Sequence, residues 1–349
     1  MSKRILIFGS GLLGCELNDM FLKGGKYKSI VTMRSKSTES NIMLNKLKKG
    51  LNKHLYLTHK GVVCDGLLEY DFLLRDYNPD CVIITIPLPS TELLNLILRS
   101  QVKHQKDVLQ EGSNYRVIYI SSPASDTAKF SSDLSNINEY AKIKFEHETL
   151  INKHNQIALQ IGFIPELSSF NNNIIPSGLS MKTMLMCNLL TGEYDSDINK
   201  LNDEEMKIMK NYISQFNTKS GFVVTPIKNI FNFCCKVIEM DYPKELLGRT
   251  LALHSSQIWY RYCIIEALKN KDYVNSNVKF YGHEEENKIT NPVKEFNKYF
   301  PELQLTNNDV LNALNKSADI FKENKDQALK IILEYAKNEI MQKSNQSFL

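Results

Sequence analysis

A tyrosine and a lysine four residues apart form the part of this sequence best suited to acid–base chemistry. Tyr140 and Lys144 lie in a stretch with helical character, so this spacing places both side chains on one helix face. An ammonium group beside a phenol favours the phenolate, which lowers the tyrosine pKa from ~10 toward neutral pH. The pair Ser121-Ser122 ends the preceding apolar strand pattern, and a serine hydroxyl there could orient a substrate oxygen. Such a set can donate a proton to a carbonyl or accept one from an alcohol.

A glycine-rich turn near the start of the chain predicts a dinucleotide site. The pattern Gly9-Ser10-Gly11-Leu12-Leu13-Gly14 directly follows an apolar strand pattern and opens a helical stretch. In this context the first glycine permits a tight turn, the second lets the backbone approach a pyrophosphate, and the third lets the helix pack close to the strand. The N–H groups at the helix start favour the negative charge of phosphates.

The end of the second predicted strand favours NADP(H) over NAD(H). About 20 residues after such a turn, an Asp or Glu usually hydrogen-bonds the ribose 2′-hydroxyl of NAD. This chain has Arg34, Ser35 and Lys36 there, and two cations with a hydroxyl fit a 2′-phosphate. The alternative is that Arg34 and Lys36 are ordinary solvent-exposed charges.

The elements that must position these residues alternate along the first 165 residues. Helical stretches, including 90–105 and 136–153, follow most of the apolar strand patterns at 4–8, 29–33, 62–64, 81–86, 116–121 and 157–163. This order predicts an α/β fold, a Rossmann-type doubly wound parallel sheet with a smaller C-terminal substrate-binding cap.

The second half of the chain is less regular. We expect residues 1–165 to form the dinucleotide-binding domain, with 221–256 returning to it through strand patterns at 222–225 and 250–253. Residues 166–220 and 257–349 are then expected to form the cap.

The composition excludes several function classes. A net charge of +4 with interspersed signs is too mild to indicate nucleic acid binding. No apolar run approaches the ~18 residues of a membrane span, and the first residues form a strand pattern rather than a signal peptide, so we expect a cytoplasmic protein. Scattered cysteines and histidines predict neither a disulfide framework nor a metal site. His147, one turn after Lys144, could reach the site but is expected at the surface.

Together these motifs resemble the short-chain dehydrogenase/reductase superfamily, in its extended or atypical branch of nucleotide-sugar epimerases, dehydratases and reductases. The resemblance covers nearly the whole chain, but few of its motifs lie after residue 165. Besides the three glycines, the matching segments are Asp65 in Cys64-Asp-Gly-Leu-Leu68, Asn78-Pro-Asp-Cys-Val-Ile-Ile84, Tyr119-Ile-Ser-Ser122, Tyr140 with Lys144 and Glu148, Gly162-Phe-Ile-Pro165, and Gly221-Phe-Val-Val-Thr225.

The resemblance implies a role for each matching residue. Tyr140 would be the general acid/base, and Lys144 would hold the nicotinamide ribose and tune Tyr140. Ser122 would orient the substrate carbonyl, with Ser121 as second choice. The further cofactor contacts that it implies are Asp65 at the adenine and Thr85 and Ile86 after the fourth strand. It also implies a small-molecule substrate of the nucleotide-sugar class and a homodimer formed through 90–105 and 136–153.

Departures from the family pattern reduce the number of reactions that we expect. Pro123-Ala124 stand where 4,6-dehydratases carry an acidic pair, so dehydration is not expected. Gln160 and Thr225-Pro226 replace an Arg and an Asp that many relatives carry. Carbonyl reduction, or epimerisation through a transient ketone, remains.

Two other classes stay open. One is a non-catalytic redox sensor of atypical short-chain fold that binds NADP and a protein partner. The other is a β-hydroxyacid dehydrogenase, whose second strand also often ends in Arg-Ser. That family has a long all-helical second domain, so strands at 222–225 and 250–253 would discriminate against it.

Overall fold

The computed structural model describes residues 2–33, 61–63, 66–107, 115–133, 135–167, 179–240, 244–275 and 292–346. The chain forms two compact units. Unit 1 comprises Met1–Gly162, Ile227–His254 and Glu286–Gln304, and unit 2 comprises Phe163–Pro226, Ser255–Glu285 and Leu305–Leu349. Each unit is therefore built from non-contiguous parts of the sequence.

Seven parallel strands form the sheet of unit 1. In chain order, the described strands of both units are β1 Lys3–Phe8, β2 Tyr27–Met33, β3 Gly61–Val63, β4 Cys81–Ile84, β5 Arg116–Ser121, β6 Ile157–Ile161, β7 Gly221–Phe222, β8 Thr250–Leu253 and β9 Trp259–Tyr260. The large sheet has the order β3-β2-β1-β4-β5-β6-β8. From β1 the chain adds β2 and β3 on one side of the sheet and then β4, β5, β6 and β8 on the other side. The strand order therefore switches between β1 and β4, and ligands of doubly wound folds bind at such a switch point.

Along the chain, helices lie between strands of the large sheet. In chain order, the described helices of both units are α1 Leu12–Lys23, α2 Leu67–Tyr77, α3 Thr91–Asp107, α4 Ala124–Lys129, α5 Glu139–Lys153, α6 Leu179–Leu189, α7 Asp195–Ile198, α8 Asp203–Ser214, α9 Ile227–Glu239, α10 Arg261–Lys269, α11 Pro292–Tyr299, α12 Asn307–Glu323 and α13 Lys325–Gln346. None of them combines the length and apolar character that a membrane-spanning segment requires.

The central strands are buried on both faces. Ile5 to Phe8 of β1 and Val82 to Ile84 of β4 have no exposed surface, which explains their continuously apolar sequence. The doubly wound parallel sheet predicted from the strand patterns is confirmed.

The strand patterns at 222–225 and 250–253 were expected to join this sheet, and the structure differs in part from that expectation. Strand β8 pairs with β6 as expected. Val224 forms a parallel bridge with Phe163, two residues after the end of β6, but β7 pairs antiparallel with β9 in unit 2. Gly221 suits this close pairing, because a Cβ there would lie 2.6 Å from Ile258 Cγ2 and 3.0 Å from Tyr260 Cδ1. A two-stranded ribbon in unit 2 does not fit the all-helical second domain of a β-hydroxyacid dehydrogenase.

A second difference concerns α11, which the sequence placed in the cap. It belongs to unit 1, where the rings of Phe296 and Phe300 pack 5.6 and 5.3 Å from that of Phe233 on α9. Both phenylalanines are buried, one helical turn apart, so the helix gains more by covering the sheet unit than by remaining with its sequence neighbours.

Candidate active site

The glycine turn after β1 has the geometry of a phosphate-binding cradle. Gly9 has φ +111°, a conformation that favours glycine, and a Cβ on Gly14 would lie 1.8 Å from the Gly9 carbonyl oxygen. These two glycines are therefore required by the fold itself. A Cβ on Gly11, in contrast, would meet nothing within 4 Å. That open space, at the start of α1, fits the close approach of a pyrophosphate.

The residues after β4 lie against the same turn. Thr85 Oγ1 is 3.0 Å from the carbonyl oxygens of both Phe8 and Gly9, to which it can donate its hydrogen. A Cβ on Gly9 would lie 2.9 Å from Ile86 Cγ1 and from Thr85 Oγ1. Thr85 and Ile86 thus adjoin the turn, as the predicted cofactor contacts require. Ser10 and Leu13 are almost fully buried within it, and Leu12 is partly exposed.

Three residues of the predicted cofactor site lie outside the described residues. They are Arg34 and Ser35 at the end of β2, and Asp65 after β3. Their assignment to the 2′-phosphate and to the adenine therefore stays a prediction.

Ser122 and Tyr140 come together through their side chains. Ser122 directly follows β5, and Tyr140 lies in the first turn of α5, where its backbone N–H donates to Asn138 Oδ1 at 2.8 Å. This cap fixes the start of the helix. The Ser122 hydroxyl is close enough to act on the Tyr140 hydroxyl and lower its pKa, and both residues are partly exposed. Two hydroxyls are therefore held at the carboxyl end of β5.

The pKa of Tyr140 changes in the opposite direction to the expectation. Burial raises it above 10, and the hydrogen bond with Ser122 offsets the rise only in part. The Lys144 amino group donates its hydrogen bonds to other groups and lies 5.8 Å from the centre of the Tyr140 ring. At neutral pH Tyr140 is thus a protonated phenol, the form that can give a proton to a carbonyl oxygen.

Lys144 is buried and directed at β5. Its Nζ donates to the Tyr119 hydroxyl and to the Ile120 carbonyl oxygen, both at 3.0 Å, and lies 5.8 Å from the centre of the Tyr140 ring. Only 2% of Lys144 is exposed. Burial lowers its pKa to about 7, and the nearby Glu148 carboxyl opposes the shift. Near pH 7 the charged and neutral forms are therefore both populated.

His147 lies behind Tyr119, and its expected place at the surface is wrong. It is 3% exposed, and its Nδ1 is 3.2 Å from the Tyr119 hydroxyl. Burial, with a contribution from Lys144, lowers the pKa of His147 to about 4, so the ring is neutral at physiological pH. The helical spacing that placed His147 one turn after Lys144 was the better guide: Tyr140, Lys144 and His147 share the α5 face that is directed at the sheet.

Ser121 and Glu148 belong to a buried polar network that sequence reasoning missed. Ser121 and Ser125 donate to Glu148 Oε1 at 2.5 and 2.6 Å. Gln160 Nε2 lies 2.9 Å from both Ser125 Oγ and Asp126 Oδ1. Burial raises the pKa of Glu148, while its hydrogen bonds oppose the rise. Ser121 is thus engaged inside the protein, and this favours Ser122, the first choice from the sequence, as the serine that meets a substrate.

No protein-family model and no curated protein sequence matches this chain. Solved structures do. UDP-glucuronic acid 4-epimerase from Bacillus cereus, in complex with NAD, has a TM-score of 0.56 at 12% identity, covering 92% of this chain and 99% of its own. The Bordetella bronchiseptica enzyme WbmF, in complex with NAD⁺ and UDP, has 0.54 at 12%, covering 97% of each.

A thiolation-reductase di-domain from an archaeal non-ribosomal peptide synthetase is equally similar, with a TM-score of 0.56 at 14% identity over 94% of this chain and 92% of its own. At such identities the likeness establishes the fold, and the proteins that share it differ in the reactions that their names describe. The chain therefore has the fold of the extended short-chain dehydrogenase/reductases, as its motifs indicated.

Proposed function

We propose that this chain is a nicotinamide-dinucleotide-dependent reductase or epimerase that acts on a carbonyl-bearing substrate, with Tyr140 as the general acid/base. The observation that carries the proposal is that Ser122 and Tyr140 lie close together after β5, with buried Lys144 on the same helix face as Tyr140. The three residues follow β5, and the phosphate cradle follows β1 in the same unit. Hydroxyl donors and a dinucleotide cradle at strand carboxyl ends are what hydride transfer to a carbonyl requires.

The described residues fit a bound dinucleotide at the cradle. Residues 9–14 would hold its pyrophosphate, with Thr85 and Ile86 beside the turn, and Lys144 and Tyr140 would contact the nicotinamide ribose. When bound, the cofactor supplies or accepts the hydride. We further propose NADP(H) as the preferred form, because Arg34 and Ser35 replace the acidic residue that would repel a 2′-phosphate.

The chain's own residues account for the proton transfer. In reduction, the protonated Tyr140 hydroxyl donates to the substrate oxygen, while the Ser122 hydroxyl hydrogen-bonds and orients that oxygen. The burial that raises the pKa of Tyr140 keeps this proton in place at neutral pH. Pro123-Ala124 supply no acid for the removal of water. A nucleotide sugar is the substrate class that we propose, supported by the substrate in the name of UDP-glucuronic acid 4-epimerase and by the UDP bound to WbmF.

Cofactor binding and one substitution test this proposal. We expect the full chain to bind NADPH more tightly than NADH in a fluorescence titration; equal affinities would reject the NADP preference, and binding of neither would reject the function. Tyr140→Phe should lower turnover of a UDP-sugar panel about 10²–10⁴-fold and should change cofactor affinity far less. The matched control is Tyr115→Phe, which removes a hydroxyl bonded to Ile97 O in the same unit.

A variant that binds NADPH and shows unaltered turnover would remove Tyr140 from the reaction. A chain that binds NADPH and turns over no member of the panel would favour the redox-sensor alternative. The cytoplasmic location and the homodimer stay predictions.

A further inference from the structure

The amino group of Lys144 has partners that the proposed function does not account for. Two of its three N–H groups donate to β5, one to the Tyr119 hydroxyl and one to the Ile120 carbonyl oxygen. A carbonyl oxygen is available on any strand, but the hydroxyl depends on residue type. Tyr119 is completely buried, so its hydroxyl stays where the strand places it.

The Tyr119 hydroxyl links the amino group of Lys144 to the ring of His147 through two hydrogen bonds. An ammonium group only donates, so the Tyr119 oxygen accepts from Lys144 Nζ. The Tyr119 O–H is then free to donate to His147 Nδ1, 3.2 Å away. Burial keeps the His147 ring neutral, and its Nδ1 accepts when the ring proton is on Nε2. The donated bond makes the Tyr119 oxygen a better acceptor, so both residues favour the charged form of Lys144.

We propose that Tyr119, together with His147, is a positioning residue that holds the amino group of Lys144 beside Tyr140 and favours its protonated form. The inference rests on the proposed function, in which Lys144 acts next to Tyr140. The titratable groups around this amino group are Tyr119 from β5, Asp126 from α4 by way of Glu148, and Tyr140, His147 and Glu148 from α5 itself.

A different reading is that Tyr119 is a core tyrosine whose hydroxyl needs a partner. That reading predicts a loss of stability on substitution but no change in Lys144. The protonation of Lys144 therefore separates the two, and it can be measured without cofactor or substrate.

The test is an NMR titration of the full chain labelled with ¹³C at lysine Cε, in which the signal missing from Lys144→Met identifies Lys144. Tyr119→Phe removes an acceptor of the ammonium group, so the Lys144 midpoint should fall by about one pH unit. Tyr115→Phe, which removes a buried tyrosine hydroxyl from the residue before the same strand, should leave the midpoint unmoved.

His147 gives the second arm of a double-mutant cycle. Because it acts through Tyr119, His147→Leu should lower the Lys144 midpoint in the natural chain and have no effect in the Tyr119→Phe background. An unmoved midpoint in Tyr119→Phe overturns the inference, as does an equal His147 effect in both backgrounds. If Tyr119→Phe does not fold, an unmoved midpoint in His147→Leu alone overturns it. Failure to bind a dinucleotide would instead count against the proposed function.

Discussion

Burying Lys144 lowers the stability of this fold at neutral pH, and replacing it by methionine should show how much. The pKa of Lys144 is about 7 in the folded chain, against an ordinary value of 10.5. At about 1.4 kcal/mol per pKa unit, the charged side chain destabilises the fold by roughly 4–5 kcal/mol at and below pH 7. Lys144→Met removes this term but leaves the Tyr119 and Ile120 oxygens without a donor, a loss of about 1–3 kcal/mol. We therefore expect a net gain near pH 7.

The pH dependence gives the sharper number, because the lost hydrogen bonds do not titrate. Since folding depresses the pKa of Lys144, its contribution to stability is complete above pH 10.5 and is lost as the pH falls toward 7. Methionine has no such dependence. The advantage of Lys144→Met over the natural chain should thus shrink by roughly 2–3 kcal/mol between pH 6 and pH 9.

Urea unfolding followed by far-UV circular dichroism at the two pH values measures this difference. The control is Lys153→Met, which removes an exposed lysine from the last turn of the same helix and should change the free energy of unfolding by less than about 0.5 kcal/mol at either pH. A Lys144→Met advantage that is the same at pH 6 and pH 9 would refute the reasoning, since it would mean that folding does not depress the lysine pKa.

Two further predictions concern paired residues of the site. Gly14→Ala should fail to fold or lose about 3 kcal/mol or more of stability in thermal unfolding, because its Cβ would meet the backbone at 1.8 Å. Gly11→Ala should stay within about 1 kcal/mol of the natural chain yet lose NADPH affinity at least about tenfold, measured by fluorescence. Ser122→Ala should lower turnover about 10–100-fold with little change in stability. Ser121→Ala, which takes a donor from buried Glu148, should instead lower the free energy of unfolding by about 1–3 kcal/mol.

The parallel sheet and the glycine cradle were predictable because their signals are local in sequence. The apolar runs at β1, β4, β5 and β6 reflect burial on both faces, and the glycine spacing follows from backbone geometry within one turn. The assignment of α11 to unit 1 was not predictable in this way. The side chains that decide it, Phe296 and Phe233, are 63 positions apart in the sequence.

The predicted Tyr140 and Lys144 do share a helix face, but the electrostatics of that face were not predictable from the pair alone. The spacing suggested that the ammonium group would act on the Tyr140 phenol. The structure places the Lys144 amino group 3.0 Å from the Tyr119 hydroxyl instead, and burial lowers the pKa of Lys144 and raises that of Tyr140. The hydrogen-bond partner of a long side chain depends on strand register and helix packing. Neither can be inferred from the sequence spacing of two residues in one helix.

The energetics of Lys144 bear on whether this site is functional. Burying a charge without a carboxylate in direct hydrogen-bond contact is unfavourable for a fold, and strongly perturbed pKa values are concentrated at functional sites. If Lys144 serves only packing, Lys144→Met should be more stable and bind NADPH as well as the natural chain does. If it holds the cofactor ribose, the same variant should be more stable when empty, yet gain less thermal stability from saturating NADPH. Opposite signs for these two changes in one variant would show that the chain gives up stability at Lys144 for binding.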